Sequence, residues 1–243
     1  MLLAVDIGNT KIKAAVFEDN VLVAKVVFDR SEYEEKIENF FDQYKKISAS
    51  ILSSVGNDNF ELLSLLEKKA PLVIVNRDFN FPFQNKYSTP GTLGIDRMVL
   101  AGGAVLQYAG QNRLVMDAGT CITYDFIDKD NNYLGGAISP GLMMRYEAMH
   151  TFTAKLPLLY PEIPNGFIGN STPSSMHSGA VNGLVYEIEG FISRYEEKYG
   201  SLVIILTGGD ADFLAKRLKN TIFANSNFLL ESLSNLYLYN NQK

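Results

Sequence analysis

The sequence predicts a duplicated α/β protein. Three observations carry that prediction. Strand-like apolar runs alternate with stretches of helical spacing along the whole chain, the pattern of sheets covered by helices. An apolar run ending in Asp-x-Gly occurs twice, once through Asp6 and Gly8 and once through Asp117 and Gly119, about 110 residues apart. After each copy come a second β-like run, a polar turn and a third strand, so one β-hairpin-β unit recurs.

The elements follow in order. Leu3-Ala4-Val5-Asp6-Ile7 is the first strand, 12–17 the second and 21–28 the third, with Glu18-Asp19-Asn20 as the turn between them. Residues 31–44 have helical apolar spacing, with Ser31 as the start signal. Residues 48–55 read as a strand, 59–69 as a helix and 72–75 as a short buried strand. Residues 76–90, rich in Asn, Pro and aromatics, form a loop before a helix over 95–109. In the second half, Leu114-Val115-Met116-Asp117 matches the first strand. Residues 122–127 match the second and 133–138 the third, across the turn 128–132. Helices are expected over 142–155 and 174–199. A buried strand over 202–206 ends at Thr207-Gly208-Gly209-Asp210. Helices over 211–218 and 228–239 close the chain. No low-complexity linker separates the halves, so the expected division is 1–112 and 113–243, two halves sharing an interface and a cleft.

Composition narrows the classes. The chain has 243 residues, 47% hydrophobic and 20% charged, the balance of a protein with a sizeable core. Its net charge is -5 and it has no Lys/Arg-rich block, which argues against nucleic acid or an anionic membrane as partner. Its one cysteine, Cys121, allows no internal disulfide. The short apolar start lacks a basic flank and is interrupted by Asp6, unlike a secretory signal. No apolar run reaches the length of a membrane span, so a cytoplasmic location is expected.

The repeated turn carries the chemistry. Gly8-Asn9-Thr10 reads equally as an ordinary turn. Two features favour more. Asp is depleted in strands, yet Asp6 sits on one, and the arrangement recurs at Asp117. Gly lets a backbone approach a phosphate closely, and successive N–H groups in such a turn form an anion-binding nest. Thr10 and Thr120 add hydroxyl donors, and Lys11 or Lys13 can neutralise charge. A carboxylate beside phosphate makes sense with a cation between them, because Mg²⁺ bridges carboxylate and phosphate oxygens. Two loops clamping one Mg-nucleotide are therefore expected. Neither a P-loop nor a G-x-G dinucleotide fingerprint is present. Thr207-Gly208-Gly209-Asp210 reads either as a wall for adenine or ribose or as an ordinary strand-to-helix turn.

With these residues assembled, the chain resembles the type III pantothenate kinases. That family belongs to the acetate kinase, sugar kinase, Hsp70 and actin superfamily. The resemblance spans nearly the whole chain and rests on seven motifs in order. Asp6-Ile7-Gly8-Asn9-Thr10-Lys11-Ile12-Lys13 matches the first phosphate motif, Gly94-Ile95-Asp96-Arg97 the G-x-D-R, and Asp117-Ala118-Gly119-Thr120 the second phosphate motif. Gly135-Gly136-Ala137-Ile138-Ser139-Pro140-Gly141 and Thr153-Ala154-Lys155-Leu156-Pro157 follow. Ser171-Thr172 with Met176-His177-Ser178-Gly179, and then Thr207-Gly208-Gly209, complete the set. Two positions depart from the pattern: Cys121 stands where Ala is usual, and Ser171 where Asn is usual.

The resemblance implies a duplicated actin-like (ribonuclease H-like) fold, each half a mixed sheet flanked by helices, with a nucleotide cleft between the halves. It implies that ATP phosphorylates pantothenate to 4′-phosphopantothenate, in a homodimer needing Mg²⁺ and a monovalent cation, K⁺ or NH₄⁺. By family position Asp96 is the general base, although on the residues alone an Asp before a helix is more often a cap. Asp6, Ile7, Gly8, Asn9, Thr10, Lys11, Ile12, Lys13, Gly119 and Thr120 would bind ATP. Tyr87, Gly94, Ile95, Asp96, Arg97 and Thr172 would bind substrate, Arg97 offering a fork suited to a carboxylate. On the residues alone, Arg97 reads equally as a first-turn surface residue, Tyr87 as an exposed loop tyrosine and Thr172 as a helix cap before Pro173. Asp117 would hold the monovalent cation, and Asp6 would serve Mg²⁺ directly or through water. His150 and His177 read as structural or surface residues, and Cys121 as a small buried side chain. Two other classes fit less well: another small-molecule kinase of the superfamily, and a non-catalytic accessory or transcription-factor relative. Gly94-Ile95-Asp96-Arg97 with Tyr87 and Thr172 argues against the first, and the acidic charge with retained Asp96 and Arg97 against the second.

Overall fold

A computed structural model of the chain describes residues 1–54, 60–220 and 222–241. Two compact units divide it. One comprises 1–109, 131–133 and the stretch from Asn227 on, and the other 110–130 and 134–226. The stretch from Asn227 on, expected in the second half, groups with the first.

The first unit begins with β1 (Leu2–Ile7), β2 (Ile12–Glu18) and β3 (Val21–Phe28). It continues with α1 (Tyr33–Gln43), β4 (Ala49–Ser54), α2 (Phe60–Lys69), β5 (Leu72–Ile74), β6 (Gln84–Asn85) and α3 (Ile95–Gln107). The second contains β7 (Asn112–Ala118), β8 (Cys121–Ile127), β9 (Asn132–Pro140) and α4 (Leu142–Thr151). It goes on to α5 (Thr172–His177), α6 (Gly183–Tyr199), β10 (Leu202–Thr207), α7 (Ala211–Ala215) and β11 (Phe223–Ala224). The last helix, α8 (Phe228–Asn241), belongs to the first unit.

The two sheets share a topology. The first runs β3-β2-β1-β4-β5 and the second β11-β10-β7-β8-β9-β6, in which the first five strands repeat that order read from the other edge. In each, an antiparallel hairpin is extended by strands parallel to its first member: β1 pairs β2 antiparallel and β4 parallel, and β7 pairs β8 antiparallel and β10 parallel. The repeat seen in the sequence is thus a repeat of fold, and the predicted duplicated α/β class holds. The first two residues of β9, Asn132 and Tyr133, are grouped with the first unit, where they pair in parallel with β6.

Strand alternation sorts side chains between faces. Leu3, Val5 and Ile7 of β1 join Ile12, Leu52, Ile37, Phe40, Leu62 and Leu66 in a core closed by α1 and α2. Ala4 and Asp6 therefore point to the opposite face. Helix α8 packs on β1, β2 and β4, and α3 packs on β4 and α8. The β2–β3 hairpin turns on Asp19 and Asn20, both at positive φ (49° and 64°), as a two-residue turn matched to strand twist requires. Asn20 then ties that turn to α8, donating to Asn235 Oδ1 at 2.7 Å and accepting from Ser234 Oγ at 2.8 Å.

Several boundaries differ from expectation. Ser31 does not start α1; it lies in a 3₁₀ turn, Arg30–Glu32, whose capping residue is Asp29. The Asp29 N–H donates to the Glu32 carboxylate at 3.0 Å. The helix expected over 174–199 is broken by a π-helical turn, Ser178–Asn182, leaving α5 and α6. The helix expected to reach Lys155 ends at Thr151, and that expected to reach Leu218 ends at Ala215. Val55 and Asn59, the expected ends of β4 and α2, lie outside the described residues.

Close approach of α3 and α8 depends on two glycines. A Cβ on Gly103 would lie 1.9 Å from Ser232 Oγ and 3.0 Å from its Cα, and one on Gly102 3.0 Å from Leu236 Cδ2. In α6, by contrast, a Cβ on Gly190 would meet nothing within 4 Å. Gly to Ala inside a helix gains roughly 1 kcal/mol of propensity, whereas overpacking a filled contact costs about 1–3 kcal/mol. Gly103→Ala is therefore expected to lower the urea unfolding midpoint, and Gly190→Ala to hold or raise it, both at unchanged slope.

Candidate active site

In the first unit the site is built around the end of β1. Asp6 is only 3% exposed, and its Oδ1 accepts from Ser53 Oγ at 2.7 Å. The parallel register of β1 and β4, which sets Asp6 opposite Ser53, makes that bond possible. On the other side Asp6 faces Lys13 across the β1–β2 pair. The chain then turns: the Gly8 N–H donates to the Lys11 carbonyl at 3.1 Å, and Asn9, Thr10 and Lys11 are exposed. Ile7 and Ile12 bury their side chains in the core, so only their backbone is available to a ligand.

Two neighbours of this turn went unnoticed in the sequence. Lys11 Nζ contacts both carboxylate oxygens of Asp29, at 2.7 and 2.8 Å. Arg30 Nη2 donates to the Gly8 carbonyl at 3.2 Å. Their place follows from strand register, since β2 and β3 set Ile12 opposite Phe28 and the next residues reach the turn. Counting back from the Asp19-Asn20 turn could have found them. Holding its carbonyl outward suits a loop whose N–H groups are to face an anion.

Gly94-Ile95-Asp96-Arg97 opens α3, but Asp96 is not its cap. Gly94 occupies that position, and Asp96 is the second residue of the helix. Its Oδ1 accepts from the Arg97 N–H at 2.9 Å. A Cβ on Gly94 would lie 2.3 Å from that oxygen, so the glycine is what allows this carboxylate rotamer. Ile95 is a core residue, and Arg97 is 6% exposed, with its guanidinium 5.9 Å from the Tyr87 ring centre. Tyr87 in turn lies 6.2 Å from Tyr133. That ring ends a run through Phe79, Phe81 and Phe83 at centroid spacings of 5.6, 5.3 and 5.8 Å. The aromatics of the 76–90 loop thus build the support for Tyr87 and Arg97.

In the second unit the matching loop follows β7. Asp117 is half-buried, the Gly119 N–H donates to the Cys121 carbonyl at 2.9 Å, and Thr120 is exposed. Two glycines from elsewhere press on it. The Gly141 N–H donates to the Thr120 carbonyl at 3.1 Å, and a Cβ there would lie 2.2 Å from the Gly119 carbonyl oxygen. Gly208 has φ +98°, and a Cβ there would lie 2.4 Å from both the Ala118 carbonyl oxygen and Asp117 Oδ1. The Asp210 N–H donates to the Ala118 carbonyl at 3.0 Å. Thr207-Gly208-Gly209-Asp210 is therefore packed on the second loop, and burial pushes the Asp210 carboxyl up.

The remaining expectations resolve individually. Thr172 is exposed at the first position of α5, whose cap is Ser171: its Oγ accepts from the Ser174 N–H at 3.3 Å. Cys121 is half-buried, not buried as expected, because it starts β8 at the loop. His177 is buried with Nδ1 2.8 Å from Tyr146 OH, and His150 is 2.8 Å from the Leu156 carbonyl; both fit structural roles.

Among the described residues no group of three or more His, Cys, Asp or Glu could hold a metal ion. The donors fit a cation that arrives on phosphate. Mg²⁺ keeps several waters and takes one or two carboxylates plus substrate phosphates, and Asp6 beside a phosphate-type turn offers such a donor. No helix among the described residues is long and apolar enough to cross a membrane.

A sequence model of the family described as type III pantothenate kinase matches residues 2–194. The type III pantothenate kinase of Flavobacterium johnsoniae is 57% identical over 239 residues, covering 98% of each chain. That of Bacteroides fragilis is 38% identical over 241 residues, covering 99% of each. Among solved structures, a Campylobacter jejuni protein assigned to the Baf family of transcriptional activators has a TM-score of 0.65 at 20% identity, covering 99% of this chain and 100% of its own. A ROK family glucokinase from Streptomyces griseus, in complex with glucose and AMPPNP, has a TM-score of 0.55 at 12% identity, covering 97% and 98%. These two share the fold. By the family match and the full-length identities, the chain belongs to the type III pantothenate kinase family.

Proposed function

We propose that this protein transfers the γ-phosphoryl group of ATP to pantothenate, giving 4′-phosphopantothenate and ADP, the first step of coenzyme A biosynthesis. The observation that carries this is the 57% identity to a type III pantothenate kinase over 98% of both chains.

Phosphoryl transfer needs positioning and charge stabilisation more than covalent chemistry. Asp96 is the general base. Its Oδ1 is held by the Arg97 N–H, and Oδ2 accepts the proton of the pantothenate hydroxyl. Its place in the first turn of α3 aims it from the helix N-terminus, beside Arg97. Arg97 receives the pantothenate carboxylate on a guanidinium that Tyr87 steadies. Gly94, Ile95 and Thr172 complete the substrate contacts, Ile95 through its backbone.

The run from Asp6 to Lys13 and the pair Gly119 and Thr120 bind ATP phosphates through backbone N–H groups, threonine hydroxyls and lysine charge. Asp6 would hold Mg²⁺ directly or through water, and the ion would supply charge neutralisation at the phosphates. Asp117 binds a monovalent cation, K⁺ or NH₄⁺. The protein works in the cytoplasm as a homodimer. Supporting the dimer, the segment joining α4 to α5 exposes Phe152 (85%), Tyr160 (72%), Ile163 (63%), Phe167 (74%) and Ile168 (78%), an apolar stretch long enough to bury against a second copy.

Two experiments test this. Asp96→Asn should lower kcat for pantothenate by about 10²- to 10⁴-fold while the unfolding midpoint holds. An enzyme that phosphorylates sugars and ignores pantothenate would overturn the substrate. Sedimentation should give the mass of two 27.0 kDa chains, and Phe167→Asp should shift it toward one. A monomeric wild type would overturn the dimer.

A further inference from the structure

Arg145, on α4, and Glu187, on α6, play no part in the roles above. Their side chains are 20% and 24% exposed, with Arg145 Nη2 2.5 Å from Glu187 Oε2. A fully exposed ion pair contributes little to stability and needs no explanation. This pair is mostly covered and sits in a network. Glu187 Oε1 accepts from Tyr124 OH at 2.9 Å, and Tyr124 is fully buried on β8 with its ring stacked 4.2 Å from Phe191. Arg145 also donates from Nε to the Pro140 carbonyl at 3.0 Å and from Nη2 to Ser139 Oγ at 3.2 Å. Burial alone would push the Glu187 carboxyl up; the bonds from Arg145, Tyr124 and Ser139 outweigh it and hold the group below the usual carboxylate range.

The network ends next to the second glycine loop. Pro140 precedes Gly141, whose N–H holds the Thr120 carbonyl and whose Cα leaves no room for a Cβ against Gly119. Tyr124 lies on the strand that leaves the same loop. Glu187 thus joins the outgoing strand to Arg145, and Arg145 fixes the backbone that presses on the loop. There is no slack between them: a Cβ on Gly141 would already be 2.5 Å from the Thr120 carbonyl oxygen.

We infer that Arg145 and Glu187 are positioning residues that hold Ser139, Pro140 and Gly141 against Gly119 and Thr120, and so set the geometry in which that loop meets the phosphates of ATP. This rests on the reading of Gly119 and Thr120 as ATP contacts. Neither residue touches substrate. Each acts through Gly141, and loss of either lets the loop relax.

The test measures KM for both substrates, Kd for ATP by calorimetry and the thermal midpoint in Arg145→Ala, Arg145→Lys, Tyr124→Phe and Thr120→Ala. Arg145→Ala should raise KM and Kd for ATP roughly tenfold, as small displacements of positioning groups do, and leave KM for pantothenate unchanged. Arg145→Lys keeps the charge but loses the fork, and should fall between wild type and Arg145→Ala. Tyr124→Phe removes one bond to Glu187 and keeps the stacked ring, so a smaller rise for ATP alone is expected; it decides the matter if Arg145→Ala does not fold. Wild-type Kd for ATP in folded Arg145 and Tyr124 variants, with only the thermal midpoint lowered, overturns the inference. If those variants keep wild-type affinity while Thr120→Ala loses it, only the positioning role fails. If Thr120→Ala also binds ATP normally, the reading of the loop itself fails.

Discussion

Asp6 sits at 3% exposure at the end of a strand otherwise made of core residues. A carboxylate taken out of water costs several kcal/mol unless its oxygens find partners. Here Ser53 supplies one, and only because β4 lies parallel to β1 in the register that sets the two residues side by side. Slipping that pairing by one residue would turn Ser53 to the other face and break that bond. The buried acid and the apolar faces of β1 and β4 thus favour the same register. The register fixes where the Gly8 turn emerges, and the hairpin beyond it brings Asp29 and Arg30 back to that turn.

The second unit solves the same problem with missing side chains. Its loop after Asp117 is seated by Gly141 from the end of β9 and by Gly208 from the end of β10. Each approaches a carbonyl more closely than any Cβ permits. Backbone against backbone is a stiff contact, since neither partner has a rotamer to change. A loop that meets phosphate through N–H groups gains from such stiffness, because the donors then need no reorganisation when the ligand arrives. The first loop is held by side chains, Lys11 on Asp29 and Arg30 on the Gly8 carbonyl, and the second by glycine contacts. One topology thus supports two loops by different means.

The chemistry suits this construction. A kinase of small molecules asks its protein for placement, charge and a base within reach of a hydroxyl, and the residues here that could react covalently are few. Cys121 is a half-buried strand residue and both histidines are tied into structural hydrogen bonds. What the chain offers instead is a carboxylate whose rotamer depends on Gly94 and an arginine steadied by Tyr87, itself backed by an aromatic run.

Much of this was legible in the linear chain. Apolar periodicity is a local signal, so the strands, the order of elements and the duplication could be read directly, as could the two turns, where Asp on a strand and Gly behind it break the local rule. Other features were legible in type but not in place. Asp96 looks like a cap by position, and only the helix geometry makes Gly94 the cap and Asp96 the second residue. The break between α5 and α6 was hidden because the π-helical turn spans only five residues within an otherwise helical stretch. What depended on long-range packing was not legible at all. That α8 belongs with the first unit, that Gly103 makes room for Ser232, and that Arg145 reaches Pro140 while Glu187 reaches Tyr124 are contacts between residues far apart in the chain. The elements, their repetition and the residue types at the turns follow from neighbours along the chain. Which glycine, arginine or tyrosine stands behind each of them is set by long-range packing, by which faces the folded sheets and helices bring within a few ångströms.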